Sequence, residues 1–394
     1  MPLLPLLAPS CNLHMRIAIF SEVYWPMVSG VGVTLRRLAD ALISRGHVVR
    51  VYSPAYALPE GQADRAEVHR SSSVPLFLYP DVHWAFPRYR SILQDVARFR
   101  PDIVHVATEF AMGVTGTKIA RELGVPVIAS AHTDYERYAS RYNLDWFMRA
   151  GWSYLRWFYR QTSSVLCPSS FYQRHLNARG VSNTGIWSRG VDADRFHPMH
   201  RHAEYRERLD VGPGDTLVTY VGRIAREKDL DLLVEGWRLL RPKDTTKLVL
   251  VGRGPLESEL RRMNVRGVVL AGMKHGRELS AAYASSDLFV FPSTTETFGN
   301  VLLEGMASGL PCLAASAGGV LEFARHESNA WLVEPHSSEA IAAGLDLLLT
   351  SHELRSHLGA GARRTALERS WEPVFDSLLL QYSGAGAAPS HQAA

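Results

Sequence analysis

Short apolar runs, each about a strand long, recur along the chain and alternate with stretches whose apolar residues fall at helical spacing. Arg16-Ile17-Ala18-Ile19-Phe20 is the first of these runs. A loop with Pro26, Gly30 and Gly32 follows, and the spacing then predicts a helix from Val33 to Ser44 that stops at Gly46. Val48-Val49-Arg50-Val51-Tyr52 is the next run. Strand, helix and strand in that order make a βαβ unit, hence a parallel sheet. Further strands are predicted at Ile103–Ala107, Pro126–Ser130, Val165–Cys167 and Thr184–Trp187, which makes residues 15–198 a doubly wound α/β domain.

The plan then repeats. Leu217–Val221 reads as a strand, Asp229–Leu240 as an amphipathic helix, and Lys247–Val251, Val268–Ala271, Leu288–Phe291 and Pro311–Ala314 as further strands. Residues 199–367 therefore form a second doubly wound domain. Phe196–Pro213, rich in charge, Pro and Gly, reads as the linker, and Trp371–Tyr382 as a last helix within a closing segment 368–383. Residues 1–14 and the small-residue tail 384–394 read as disordered extensions.

Composition narrows the function class without naming one. A chain of 394 residues suits two domains, and 46% hydrophobic with 21% charged residues is ordinary for a globular protein. A net charge of +4 is too small to argue for nucleic acid. Cys11, Cys167 and Cys312 lie far apart, with no CxxC spacing, and read as thiols in a reducing compartment. No apolar run approaches the ~20 residues of a membrane span, and the opening Met1-Pro2-Leu3-Leu4-Pro5 lacks the cationic flank of a secretory signal.

Chemistry collects where such sheets bind ligands, at the carboxyl ends of their strands. In the first domain that rule selects Gly30-Val31-Gly32, His132 and Arg189-Gly190-Val191. The glycine pair lacks the full GxGxxG of a dinucleotide site. In the second it selects Arg223 and Lys228, Arg253-Gly254, Ala317-Gly318-Gly319 and the stretch from Pro292 to Met306. Within that stretch Glu296 falls in a loop and Glu304 about a turn inside a helix, while Phe298, Gly299 and Asn300 offer backbone N–H groups at the helix start. Two cations and helix N-termini suit a diphosphate, and an ionised carboxylate suits a diol.

Residues 137–160 differ in character: nine aromatics and five arginines stand against one acid, Asp145. A helix lying on an anionic bilayer has this composition, and so does a buried helix pair with arginines reaching outward. Both readings remain open at this point.

Taken together, Gly222-Arg223…Glu227-Lys228, Gly252-Arg253-Gly254-Pro255, and Glu296-x7-Glu304 with Phe298-Gly299 inside it resemble the retaining GT-B glycosyltransferases of family 4. Val28-Ser29-Gly30-Val31-Gly32, the His132 segment and Arg189-Gly190-Val191-Asp192…Phe196 fit the same pattern, so the resemblance covers residues 15–383. It implies two Rossmann-like domains facing across a cleft, with acceptor mainly on the first and nucleotide sugar on the second. It also implies a final helix that returns to the first domain.

The roles it implies are specific. Arg223 and Lys228 would hold the donor diphosphate, Glu304 the ribose diol and Glu296 the transferred hexose. The N–H groups of Phe298, Gly299 and Asn300, with Val301 beside them, would bind sugar hydroxyls or phosphate. Gly30 and Gly32 would let the first domain approach the phosphates, His132 would touch the sugar near its C6 hydroxyl, and Arg253 and Met273 would line the base pocket. Asp192-Ala193-Asp194 looks like the DxD metal motif of another glycosyltransferase fold, but it occupies the place of this family's own R-G-V-D pattern. No metal and no cofactor are therefore expected.

His132-Thr133-Asp134…Arg141-Tyr142-Asn143, with the aromatic and arginine run behind it, is similar to glycolipid-forming members, the sulfoquinovosyl-diacylglycerol synthases and GDP-mannose-dependent mannosyltransferases. The expected partners are a nucleotide-sugar donor, GDP-mannose ahead of a UDP-sugar, and a lipid or glycan acceptor. The expected location is cytoplasmic, peripheral on the inner face of the membrane through residues 137–160. Two other classes fit the sequence less well. A GT-B-shaped sugar-nucleotide epimerase has no use for Glu296-x7-Glu304, and a silent nucleotide-sugar-binding subunit would have lost one of Arg223, Lys228 and Glu304.

Overall fold

The computed structural model describes residues 14–27, 29–56, 64–76, 79–137, 145–240 and 245–387. Two parallel sheets carry the chain, each covered by helices, in an α/β architecture of two Rossmann-like domains. The first sheet is built from β1 (Arg16–Phe20), β2 (Val48–Pro54), β3 (Glu67–Ser71), β6 (Ile103–Val106), β7 (Val127–Ser130), β8 (Ser164–Cys167) and β9 (Thr184–Ile186), with a hairpin of β4 (Ser73–Leu76) and β5 (Tyr79–Ala85) between β3 and β6. Its order is β3-β2-β1-β6-β7-β8-β9. The strand order reverses between β1 and β6, whose register pairs Ile17 with Ile103 and Phe20 with Val106. Ile17, Ala18, Ile19 and Phe20 are fully buried. A continuous apolar run is what a central strand with both faces covered requires.

The second sheet holds β10 (Thr216–Val221), β11 (Thr246–Val251), β12 (Val268–Gly272), β13 (Leu288–Phe291), β14 (Cys312–Ala315) and β15 (Trp331–Val333), in the order β12-β11-β10-β13-β14-β15. Here the order reverses between β10 and β13. Such a switch point leaves a crevice at the strand ends where ligands bind.

The helices are α1 (Gly30–Ser44), α2 (Tyr89–Phe99), α3 (Ala111–Leu123), α4 (Asp145–Tyr159), α5 (Ser170–Ala178), α6 (Ala203–Glu207), α7 (Leu230–Leu239), α8 (Glu257–Met263), α9 (Gly276–Ala284), α10 (Asn300–Ala307), α11 (Ser338–Thr350), α12 (His352–Leu367) and α13 (Trp371–Ala387). None of them is long and apolar enough to cross a membrane.

By contacts the chain divides into two compact units. One draws on the described residues of Met1–His132, Leu155–Leu166 and Ser377–Ala394, the other on those of Thr133–Tyr154 and Cys167–Asp376. This division does not coincide with the boundary expected at 198/199. Much of 133–198 belongs to the second unit because it bonds to that unit's loops. The Ser170 N–H and hydroxyl both donate to Glu322, at 3.0 and 2.7 Å. The Val191 N–H donates to the Arg369 carbonyl at 2.8 Å.

Three expectations need correction. Phe196–Pro213 is not a bare linker. It contains a 3₁₀ turn at Pro198–His200 and α6, and buries Phe196, Tyr205 and Val211 in the second core. Arg206, also buried, donates to Asp287 at 2.7 Å and to the carbonyls of Ser285, Gly212 and Asp215. Next, the last helix continues past Tyr382, so Gly384–Ala387 of the supposed tail are helical. Finally, His14 is part of the structured chain, its Nδ1 2.8 Å from the Gly46 carbonyl. Residues 1–13 and 388–394 lie outside the described residues.

Candidate active site

Four neighbouring strands of the second sheet bring the donor-side residues to one edge. Arg223 and Lys228 follow β10, Arg253 follows β11, Met273 follows β12, and Glu296 to Glu304 follow β13. The loops after β10 and β11 interlock through their backbones. The Gly222 N–H donates to the Val251 carbonyl at 3.0 Å and the Ile224 N–H to the Arg253 carbonyl at 2.9 Å. Gly252, at φ +148°, has its Cβ position on the Gly222 carbonyl oxygen, so no side chain fits there. Gly252 and Gly254, whose Cβ positions fall on the Gly222 and Ile224 carbonyl oxygens, are thus what lets the two strand ends approach closely.

Lys228 ends the 3₁₀ turn Arg226–Lys228, and its Nζ lies 2.6 Å from Glu296 Oε1. Both side chains are largely buried, at 14% and 19% exposure, so the pair is shielded from water. The Ser293 hydroxyl donates to the same carboxylate oxygen at 3.1 Å. Asp229 adopts the left-handed conformation, φ +54°, and turns its buried carboxylate back on the following loop. That carboxylate accepts from the Thr294 N–H at 3.0 Å and the Thr294 hydroxyl at 2.8 Å. The Thr295 hydroxyl donates to the Glu227 carbonyl at 2.9 Å. Three hydrogen bonds therefore fix the Lys228 turn against the Glu296 loop. Arg137 adds to this by donating to the Thr294 carbonyl.

α10 starts at Asn300 behind Gly299, which sits at φ +103° with its Cβ position against Val320. Among the described residues, no acceptor takes a hydrogen bond from the N–H groups of Phe298, Gly299, Asn300 or Val301. The Asn300 Oδ1 is buried there and also lacks a partner. The Phe298 ring is buried, 5.1 Å from that of Phe323, so the residue can serve a ligand only through its backbone. Glu304 stands one turn inside α10. The Tyr283 hydroxyl, fully buried on α9, lies 3.0 Å from Glu304 Oε2 and 3.2 Å from the Val301 carbonyl. Burial, the Glu304 charge and its hydrogen bond raise the Tyr283 phenol well above its usual range, so it remains a proton donor that orients the carboxylate. Arg253 and Met273 are exposed at the strand ends.

The first unit places its candidates as follows. Gly30 and Gly32 lie in the first turn of α1, not in the loop before Val33, because the Ser29 hydroxyl accepts from the Gly32 N–H at 3.0 Å and caps the helix three residues early. The Gly32 Cβ position is 2.8 Å from the Met27 carbonyl, which leaves no room for a side chain. His132 follows β7, with its Nε2 2.8 Å from the Ser130 hydroxyl.

Two motif pieces have structural work. Arg189 is buried and donates to the carbonyls of Trp187 and Ser188, at 2.6 and 2.9 Å, and its desolvation pulls the guanidinium pKa down to about 9. Asp192 of the Asp-Ala-Asp sequence accepts from the Arg195 N–H at 3.0 Å, closing a turn. Among the described residues, no three His, Cys, Asp or Glu side chains gather at metal-ligand spacing.

Sequence reasoning missed Asp229, Ser293, Tyr283 and Arg137 as parts of the site. Asp229 follows Lys228 at a strand-to-helix junction, a place where a turn residue is worth suspecting. Tyr283 is 21 positions from Glu304 and leaves no local signal.

Comparison with known proteins gives the same assignment for both halves. Residues 28–195 match the model for Glycosyltransferase Family 4, and residues 202–365 that for Glycosyl transferases group 1. A GDP-mannose-dependent alpha-mannosyltransferase of Mycobacterium tuberculosis is 34% identical over 96% of this chain and 99% of its own length. An alpha-monoglucosyldiacylglycerol synthase of Streptococcus pneumoniae is 31% identical over 76% of this chain and 71% of its own. Among solved structures, Anabaena Alr3699/HepE in complex with UDP-glucose superposes with a TM-score of 0.76 at 19% identity, covering 94% of this chain and all of that one. Matched on both halves and over nearly its whole length, the chain belongs to the family 4 glycosyltransferases.

Proposed function

We propose that the protein moves a hexosyl group, with retention and without a metal ion, from a nucleotide diphosphate sugar to a lipid or lipid-linked acceptor at a membrane surface. GDP-mannose is the favoured donor. The observation that carries this reading is the largely buried Lys228–Glu296 pair lying in the same loop system as four N–H groups at the start of α10 that have no acceptor among the described residues. An anion with hydroxyl-rich neighbours satisfies both halves at once. Its diphosphate takes the cations and N–H groups, and its hexose takes Glu296. Glu304, oriented by Tyr283, takes the ribose diol.

The chemistry on this reading is stabilisation of a leaving group. As the anomeric C–O bond to the diphosphate breaks, negative charge grows on the departing phosphate, and Arg223, Lys228 and the N–H groups of α10 are aimed at it. Glu296 is engaged by Lys228 and Ser293, which disfavours it as a covalent nucleophile. The acceptor hydroxyl therefore attacks the oxocarbenium-like carbon from the face the phosphate leaves. Its oxygen forms the new bond, and its proton goes to the departing phosphate oxygen. Since Arg223, Lys228 and the helix terminus carry the neutralising charge, a divalent ion is not required. His132 contacts the hexose, and Arg253 and Met273 the base.

The mycobacterial relative supports GDP-mannose and the streptococcal one a lipid acceptor. A UDP-sugar donor, glucosyl or sulfoquinovosyl, is the second reading, favoured by the UDP-glucose bound to the Anabaena neighbour. The membrane surface rests on α4. Arg149, Ser153, Tyr154, Trp157 and Arg160 are exposed along one side, while Met148, Trp152, Leu155 and Phe158 are buried. The decisive assay offers GDP-mannose or UDP-glucose with glycerolipid vesicles, in EDTA and in magnesium, and reads the product anomer by NMR. An α-mannosyl lipid formed equally in EDTA is expected. A β-product, or loss of transfer in EDTA with rescue by magnesium, overturns retention or metal independence respectively, and turnover of UDP-glucose alone selects the second reading.

A further inference from the structure

His132 belongs to a file of hydrogen-bonding groups inside the first unit. Its Nε2 lies 2.8 Å from Ser130 Oγ at the end of β7. Ser130 Oγ lies 2.7 Å from Nε2 of His105 on β6. His105 Nδ1 lies 2.6 Å from the hydroxyl of Tyr382 on α13. His105, Ser130 and Tyr382 are buried essentially completely, at 0%, 1% and 1% exposure. The file joins two adjacent strands to a helix 277 positions further along the chain.

Proton counting fixes its direction. Every link holds one hydrogen, and a neutral imidazole has one N–H and one lone pair. Among the described residues Tyr382 has His105 as its hydrogen-bond partner and no other. Burial raises its phenol well above the usual range, so the hydroxyl keeps its proton. Were His105 to donate from Nδ1, that hydroxyl proton would be buried with no acceptor, the costly arrangement. Tyr382 therefore donates to Nδ1. His105 then carries its own proton on Nε2 and gives it to Ser130 Oγ, and the Ser130 proton points to His132 Nε2. The only ring nitrogen left for the His132 proton is Nδ1.

We propose that Tyr382 is a positioning residue: acting through His105 and Ser130, it holds His132 as the Nδ1–H tautomer, a neutral donor whose Nε2 is already taken. The inference rests on the reading that His132 contacts the transferred sugar. There an Nδ1–H donates to a sugar oxygen, and the same ring is unavailable as a base through Nε2. It also assigns a catalytic consequence to the last helix, which supplies the first proton of the file.

The test uses the full chain labelled with ¹⁵N-histidine, with His132 and His105 assigned by difference against His132→Gln and His105→Gln. Long-range proton–nitrogen spectra of the wild type are expected to show His132 protonated at Nδ1 and His105 at Nε2. Tyr382→Phe keeps the ring and removes the donor. It is expected to mix the tautomers of both histidines and to lower kcat about tenfold, the size of one hydrogen bond, with KM for the donor within about twofold. Ser130→Ala should have the same effect, and the double variant should be no worse than either single one. A wild-type His132 protonated at Nε2 overturns the proposal. So does Tyr382→Phe with wild-type kcat, and so does a loss of kcat with unchanged tautomers, which would mean packing alone. The underlying reading fails separately: wild-type transfer by His132→Gln removes the sugar contact, while an Nδ1–H signal in the wild-type spectrum still upholds the file.

Discussion

Lys228 Nζ lies 2.6 Å from the Glu296 carboxylate, and this pairing decides what its loss does. On the proposed mechanism Lys228→Ala removes charge aimed at the leaving phosphate, while Glu296 keeps its hydrogen bond from the Ser293 hydroxyl. We expect kcat/KM to fall by about 10²-fold or more, a loss typical of one preorganised electrostatic contact. Circular dichroism should show the fold retained, since the Asp229 and Thr295 hydrogen bonds keep the turn in place. Wild-type turnover in this variant would defeat the assignment. Arg223, Lys228, Glu296 and Glu304 could be singled out in the sequence because Gly222-Arg223, Glu227-Lys228 and Glu296-x7-Glu304 together resemble one family's motif. The residues that hold them were not. Asp229 acts across 65 positions and Tyr283 across 21, distances over which a linear pattern carries no contact information.

Elements were legible where burial is two-sided and blurred where it is not. β1 and β13 stand at the predicted residues; β13 is a fully buried apolar run, and β1 is one from Ile17 to Phe20. β3, in contrast, pairs only with β2, and its residues are exposed or half-buried, so Glu67-Val68-His69-Arg70-Ser71 presents no apolar run to find. The hairpin of β4 and β5 carries Pro75 and Pro80, which demote a strand reading. α4 divides the two readings of its aromatic content. Trp152, Phe158 and Tyr159 are buried, with the Tyr159 hydroxyl donating to Glu109 at 2.6 Å. Tyr154 and Trp157 are exposed at 37% and 46%, beside Arg149 and Arg160. Tyr138 and Tyr142, and the side chains of Trp146 and Phe147, lie outside the described residues. The membrane reading therefore rests on one strip of this helix. Arg149→Glu with Arg160→Glu should lower sedimentation with anionic vesicles at low salt, with the contrast fading as salt screens it. Equal sedimentation of variant and wild type at low salt would remove α4 from the membrane contact.

For the molecule as a whole, a buried carboxyl behind β1 ties stability to pH. Burial is the main cause that raises Glu22 from 4.5 to about 7, against the hydrogen bonds it accepts from Thr108 and from the Met112 N–H near the start of α3. Between those two values the folded chain binds more protons than the unfolded one, so stability falls as pH rises. The contribution is fully present below about 4.5 and lost by about pH 7, amounting to about 3 kcal/mol. Glu22→Gln has no proton to lose. In urea unfolding at pH 5 and pH 8, the wild type should lose about 2.5 kcal/mol more than Glu22→Gln across that interval. Parallel curves would show that Glu22 ionises in the fold at its ordinary value. Two-domain organisation and parallel sheets were legible at this scale because the strand and helix rhythm repeats. The assignment of 133–154 and 167–198 to the second unit was not, since it is made by single contacts such as Ser169 to the Thr297 carbonyl at 2.6 Å.

The Lys228–Glu296 pair has one more consequence on the proposed roles. A nucleotide sugar separates the pair and compensates both halves, phosphate for the cation and hydroxyls for the carboxylate. A bare nucleoside diphosphate separates it and compensates only one. Once the hexose has left, the glutamate has nothing to hold except its old partner, and it competes with the spent diphosphate for the lysine. On those roles the contact would act as a product ejector, favouring the loaded donor over its own by-product and letting turnover continue while that by-product accumulates.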